Sequence, residues 1–147
     1  MKKIIYLLFI SVLFYNCSDN CNEGKNTNPP SFFIKLINNT TNENIFTNDF
    51  LPEHITITYE NEDEDETNFN YVENLQAIQI FPDASLTSPQ IFVITLNNPD
   101  TLEIRTISIS YSLTTTNGEC YTTYNVNNVQ CTSHSLIFIN GFYEIKI

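Results

Sequence analysis

Along most of the chain apolar residues recur at every second position, the period of a half-buried β-strand. Phe32, Ile34 and Leu36 alternate with Phe33, Lys35 and Ile37, marking a first strand that is mostly apolar on both faces. The turn cluster Asn38 to Asn44 follows, and Ile45-Phe46-Thr47 reads as a short return strand. Ile55, Ile57 and Tyr59 alternate with Thr56 and Thr58, the cleanest one-sided strand in the protein. Phe69 and Tyr71 begin the strand expected to pair with it, across an exposed acidic hairpin loop at 60–66. Leu75 to Phe81 is a further apolar stretch, which Pro82 stops. Ile91 to Leu96 lies between Pro89 and Asn97-Asn98-Pro99.

The longest apolar run is Leu102, Ile104, Ile107, Ile109, Tyr111 and Leu113. Its phase slips after Ile104, which predicts a bulge near Arg105-Thr106. Asn117-Gly118 is a hairpin signal, because both residues tolerate the positive φ of a type I′ turn. Cys120, Thr122, Tyr124 and Val126 alternate after it; Asn127-Asn128 reads as a turn and Val129 to Cys131 as a short strand. Leu136 to Ile139 and Phe142 to Ile147 form a closing hairpin about Asn140-Gly141. Many short strands separated by turn residues predict an all-β fold. We expect a β-sandwich of about eight short antiparallel strands, immunoglobulin-like or transthyretin-like, over residues 31–147.

The first residues break this pattern. Lys2 and Lys3 precede an apolar run from Ile4 to Tyr15, interrupted only by Ser11. A basic start and a short apolar stretch mark a secretory signal over residues 1–16. Leu13-Phe14-Tyr15-Asn16-Cys17 resembles a lipobox, with Tyr15 and Asn16 where small residues are usual. Acylation of Cys17 with diacylglycerol and palmitate would hold the chain at a bilayer, since each buried CH₂ contributes about 0.8 kcal/mol. Residues 17–30 are polar and end in Pro29-Pro30, as a flexible tether should. We expect a lipid anchor in the outer membrane, facing the periplasm or the cell surface.

Beyond the signal, only Lys25, Lys35, Arg105 and Lys146 oppose seventeen acidic residues. That balance disfavours nucleic acid, which repels a polyanion. Removing Cys17 by acylation leaves Cys21, Cys120 and Cys131 in an oxidising compartment. Cys120 and Cys131 fall on what reads as neighbouring short strands, so a disulfide between them is expected. Cys120, Cys131 and His134 lack the short Cys-x₂₋₄-Cys spacing of a zinc knuckle.

Two candidate sites remain. Glu62, Asp63, Glu64, Asp65 and Glu66 offer hard oxygen ligands for calcium, without the Asp-x-Asp/Asn-x-Asp/Asn-Gly order of an EF-hand. Packed like charges oppose their own ordering, so a solvated loop is the simpler reading. Tyr121, Tyr124 and Tyr143 crowd the last hairpins. Exposed tyrosines stack on sugars or anchor protein contacts. No Gly-x-Ser-x-Gly or His-Glu-x-x-His occurs, and scattered carboxylates such as Glu73 and Glu144 specify no catalytic pair.

The run Pro29-Pro30-Ser31-Phe32-Phe33-Ile34-Lys35-Leu36-Ile37, then Asn42-Glu43-Asn44-Ile45-Phe46-Thr47, is similar to small lipoproteins of flavobacteria and other Bacteroidota. The resemblance implies location and fold, and no activity. The sequence thus predicts an envelope-anchored, non-catalytic binding or structural module whose partner is a glycan or envelope protein. A calcium-stabilised adhesion-type module and a carboxylate-dependent hydrolase are the alternatives.

Overall fold

A computed structural model describes residues 25–26, 28–47, 50–60, 68–85, 88–118 and 121–147. The expected signal at 1–16, Cys17, Cys120 and the acidic residues Glu62 to Glu66 lie outside the described residues. Ten strands form two sheets. They are β1 (Lys25–Asn26), β2 (Phe32–Ile37), β3 (Ile55–Tyr59), β4 (Phe69–Val72) and β5 (Ala77–Ile80), then β6 (Gln90–Asn98), β7 (Glu103–Asn117), β8 (Tyr121–Cys131), β9 (Ser135–Ile139) and β10 (Phe142–Lys146). One sheet runs β1-β8-β7-β6-β3 and the other β4-β5-β2-β10-β9. The molecule is an all-β sandwich.

Alternation explains which face each strand buries. In β2, Phe32, Ile34 and Leu36 are buried, while Phe33, Lys35 and Ile37 are only partly covered. In β3, Ile55, Ile57 and Tyr59 face the core and the intervening threonines face out. Phe92, Ile94 and Leu96 of β6 meet Ile107, Ile109 and Tyr111 of β7 on the same inner face. Phe92 lies at the centre of an aromatic group, with ring centroids 6.4 Å from Phe32, 6.4 Å from Tyr59 and 5.9 Å from Tyr111. Edge-on and tilted contacts of this kind add to the area term.

A buried polar chain crosses this aromatic group. Tyr111 donates its hydroxyl proton to Gln90 Oε1, and the Tyr59 and Tyr111 oxygens lie 2.9 Å apart. Gln90 Nε2 in turn donates to the Asp83 carbonyl at 2.6 Å. Gln90 is the buried polar side chain among the described residues, and these bonds satisfy both ends of its amide.

Several expectations need correction. Strand pairing is not purely antiparallel, since β10 pairs parallel with β2, and β1 parallel with β8. Strands β7 and β8 are not short; they span Glu103–Asn117 and Tyr121–Cys131. Ile45–Thr47 forms a 3₁₀ turn, because Phe46 N donates to Asn44 Oδ1 at 3.0 Å and draws the chain into a local turn. β3 and β4 belong to different sheets, so the acidic run at 60–66 joins sheets and closes no hairpin.

No bulge occurs at Arg105-Thr106, where the β6–β7 register is continuous. The phase slip is met instead by leaving Leu102 and Ile104 exposed, at 82% and 64%. The irregularity falls between Ser110 and Ser112, opposite Asn128-Val129. There Asn128 adopts φ 54°, so the expected turn at Asn127-Asn128 is instead continuous strand, with Asn127 paired to Ser112 and Asn128 in a bulge.

That continuity removes the expected disulfide. Tyr121 and Cys131 are the two ends of β8, about 30 Å apart at the usual strand rise. Cys120 is bonded to Tyr121, and disulfide geometry needs Cα atoms about 4.4–6.8 Å apart. Cys131 is a free thiol, partly exposed.

Candidate functional site

The site follows from the unequal lengths of the strands. β7 pairs with β6 only as far as Tyr111; beyond it, Ser112 to Asn117 pair with β8 alone. The result is an arm of β7 and β8 that runs on past the end of β6, with β1 paired to β8 at Tyr121–Thr122. The bulge at its root increases local twist. Gly118 N donates to the Tyr121 carbonyl at 2.7 Å to close the arm. A Cβ on Gly118 would lie 2.7 Å from the Tyr121 ring, so a larger residue there requires this exposed ring to move aside.

Between this arm and the β9–β10 hairpin lies an open groove of about 570 Å³. Phe138 and Tyr143 form its aromatic side, and Thr114, Asn125, Val126 and Asn127 form the arm side. Phe138 is 64% exposed. Its ring centroid is 4.8 Å from that of Tyr143, which in turn packs edge-on against Phe32 at 5.8 Å. Tyr143 is therefore braced against the core and fixes Phe138 from behind. Asn127 Nδ2 donates to Thr114 Oγ1 at 2.8 Å and to the Asn125 carbonyl at 3.2 Å, which orients its amide on the rim.

Among the described residues, no Asp, Glu, Lys, Arg or His lines the groove. From Cys120 to Tyr143 the sequence itself contains no Asp, Glu, Lys or Arg, within a chain of formal charge −11. Ring faces, amides and hydroxyls are what the groove presents. Such a surface is suited to binding by ring contacts and neutral hydrogen bonds.

No family model, curated protein or solved structure matches the chain.

The expected ligand-contact tyrosines separate in space. Tyr143 lines the groove, whereas Tyr121 and Tyr124 do not. Tyr121 sits 55% exposed at the end of the arm over Gly118, and Tyr124 is half-buried opposite Thr115. Phe138 was missed because Leu136 to Ile139 is apolar at every position and shows no alternation. The charge-free run around it was the available signal.

A second cleft, of about 480 Å³, is lined by Tyr71 together with the exposed Glu53 and Glu73. Burial first, and then the Glu73 carboxylate, push the Tyr71 phenol above its ordinary pKa, so it stays protonated at neutral pH. Among the described residues no group of three or more His, Cys, Asp and Glu is arranged to hold a metal ion. His134 Nδ1 lies 2.7 Å from Ser133 Oγ, whose oxygen is 4.0 Å from Cys131 Sγ. The expected calcium residues Glu62 to Glu66 fall outside the described residues.

Proposed function

We propose that the chain is a lipid-anchored, non-catalytic binding module of the outer membrane that takes a neutral glycan in the groove between the arm and the β9–β10 hairpin. The observation that carries this reading is the groove lining: the contacting, mutually tilted rings of Phe138 and Tyr143 facing the amides and hydroxyl of the arm, with no charged side chain among the described lining residues, in an otherwise strongly acidic chain. Sugars present apolar CH faces and hydroxyl edges, and aromatic rings beside Asn and Thr match both. The sandwich, which we read as immunoglobulin-like or transthyretin-like, supplies a rigid platform. Cys17 supplies the anchor, and the polar tether after it gives the groove reach.

Two measurements test the proposal. Titration calorimetry against a panel of neutral oligosaccharides should show binding that Phe138→Ala weakens at least tenfold, while the melting temperature stays within a few degrees. An exposed ring stabilises little, so loss of affinity with retained fold isolates the contact. Binding unaltered in Phe138→Ala, or confined to charged glycans, would reject the groove. The mass of the membrane-extracted protein should correspond to residues 17–147 plus acyl chains; an unmodified mass would reject the anchor.

A further inference from the structure

Sheet edges expose unpaired backbone N–H and C=O groups, and soluble proteins blunt them with charge, brevity, bulges or cover. Three of the edges here follow that rule. β3 is flanked by the exposed Glu53 and Glu60. β4 has four residues. β8 carries the Asn128–Val129 irregularity, and its Tyr121–Thr122 end is covered by β1.

Among the described residues, β9 has no charge, no bulge and no covering strand along its outer edge. Ser135-Leu136-Ile137-Phe138-Ile139 contains no charge and no proline, and it pairs with β10 in unbroken register. Its outer edge is the end of the β4-β5-β2-β10-β9 sheet. Ile137, Phe138 and Ile139 are 48%, 64% and 43% exposed, so apolar surface stands on both faces of this strand. A natural edge strand with that pattern is a docking surface or an aggregation hazard.

We propose that β9 is the seam of a homodimer, in which a second copy lays its own β9 antiparallel to this one. An antiparallel edge is self-complementary under a two-fold axis. Centred on Ile137, the pairing sets Ile137 against itself and Phe138 against the partner's Leu136, joining apolar to apolar. Charge selects this face for self-association. Two copies at −11 repel each other over most of their surfaces, but the stretch from Cys120 to Tyr143 carries no charge. The nearest carboxylate on the neighbouring strand, Glu144, is matched in register by Lys35, and Lys146 stands on the same strand. The side that approaches its copy is therefore locally neutral or slightly basic.

Five residues of pairing and three apolar side chains make a small interface, in the class below about 1,200 Å² in total. The dimer should accordingly be reversible, with Kd on the order of 1–100 μM. Ile137 is outside the groove lining, so the seam can be tested apart from ligand binding.

The test is sedimentation equilibrium of residues 18–147, which contain the whole described core, from low micromolar to several hundred micromolar. The expected result is a concentration-dependent monomer–dimer equilibrium that tightens as salt screens the acidic surfaces. Ile137→Lys should sediment as a monomer throughout, with an unchanged circular dichroism spectrum. If that variant misfolds, Ile139→Lys on the same exposed edge replaces it. A wild-type monomer at the highest concentration overturns the proposal. So does a dimer that survives either folded variant, because its seam would then lie elsewhere.

Discussion

Phe92→Ala will lower the unfolding free energy by about 3–5 kcal/mol, the range for deleting a fully buried phenyl ring. Phe92 is 0% exposed and contacts the rings of Phe32, Tyr59 and Tyr111. Those neighbours belong to β2, β3 and β7, so one ring ties both sheets together. They cannot collapse into the vacated space without shifting strands whose backbones are already hydrogen-bonded into the sheets. The loss is therefore transfer free energy plus an unrelaxed cavity. Against a typical stability of about 5–15 kcal/mol, it leaves a protein near the edge of folding. Urea denaturation followed by circular dichroism will measure it. A loss below about 1.5 kcal/mol would mean that the aromatic group repacks freely.

The second large effect is alkaline. Burial first, then the hydrogen bond to Tyr59 and the proximity of Tyr59 and Asp83, push the Tyr111 phenol far above its ordinary range. In the unfolded chain the same group titrates near pH 10. Below that pH both states hold the proton, and the contribution of Tyr111 to stability is fully present. Above it, the unfolded chain releases the proton while the folded state keeps it. Stability then falls by about 1.4 kcal/mol per pH unit from this group alone. Denaturation curves between pH 9 and pH 12 should show that slope. Tyr111→Phe should flatten it by the same amount, while costing about 1–3 kcal/mol at neutral pH because Gln90 Oε1 loses its buried donor. An equal slope in the wild type and in Tyr111→Phe would show that Tyr111 titrates normally.

The strands were legible wherever one face is wet. Ile55-Thr56-Ile57-Thr58-Tyr59 had to alternate to be half-buried, and it appears in the structure as read. Asn140-Gly141 likewise turns the closing hairpin, with φ values of 52° and 87° that suit those two residues. Asn127-Asn128 shows the limit of such signals. Tolerance of positive φ is a local property, and it serves a bulge as well as a turn. Whether the chain reverses there depends on the partner strand, and β7 runs on past it. The expected Cys120–Cys131 bridge failed for that same reason.

The candidate site was less legible. Tyr143 was visible as one of several tyrosines, but what singles it out is Phe32 behind it and Phe138 before it, from β2 and β9. Residues far apart in sequence line the groove because β2 pairs with β10 while β8 returns along β7. No local period encodes those pairings. The β9 edge is similar: an apolar strand reads as core until the sheet order leaves it last.

By itself, the sequence determined an all-β chain, most of the strand positions, the inward faces of the alternating strands and the uncharged stretch from Cys120 to Tyr143. These depend on a side chain's chemistry and its immediate neighbours. Only the tertiary structure decided which strands share a sheet, that β8 is one long strand with Cys131 unbridged, and that Phe138 and Tyr143 face the arm across a groove. Those follow from long-range pairing, where many partners satisfy the same backbone hydrogen bonds and close packing of the whole core selects among them.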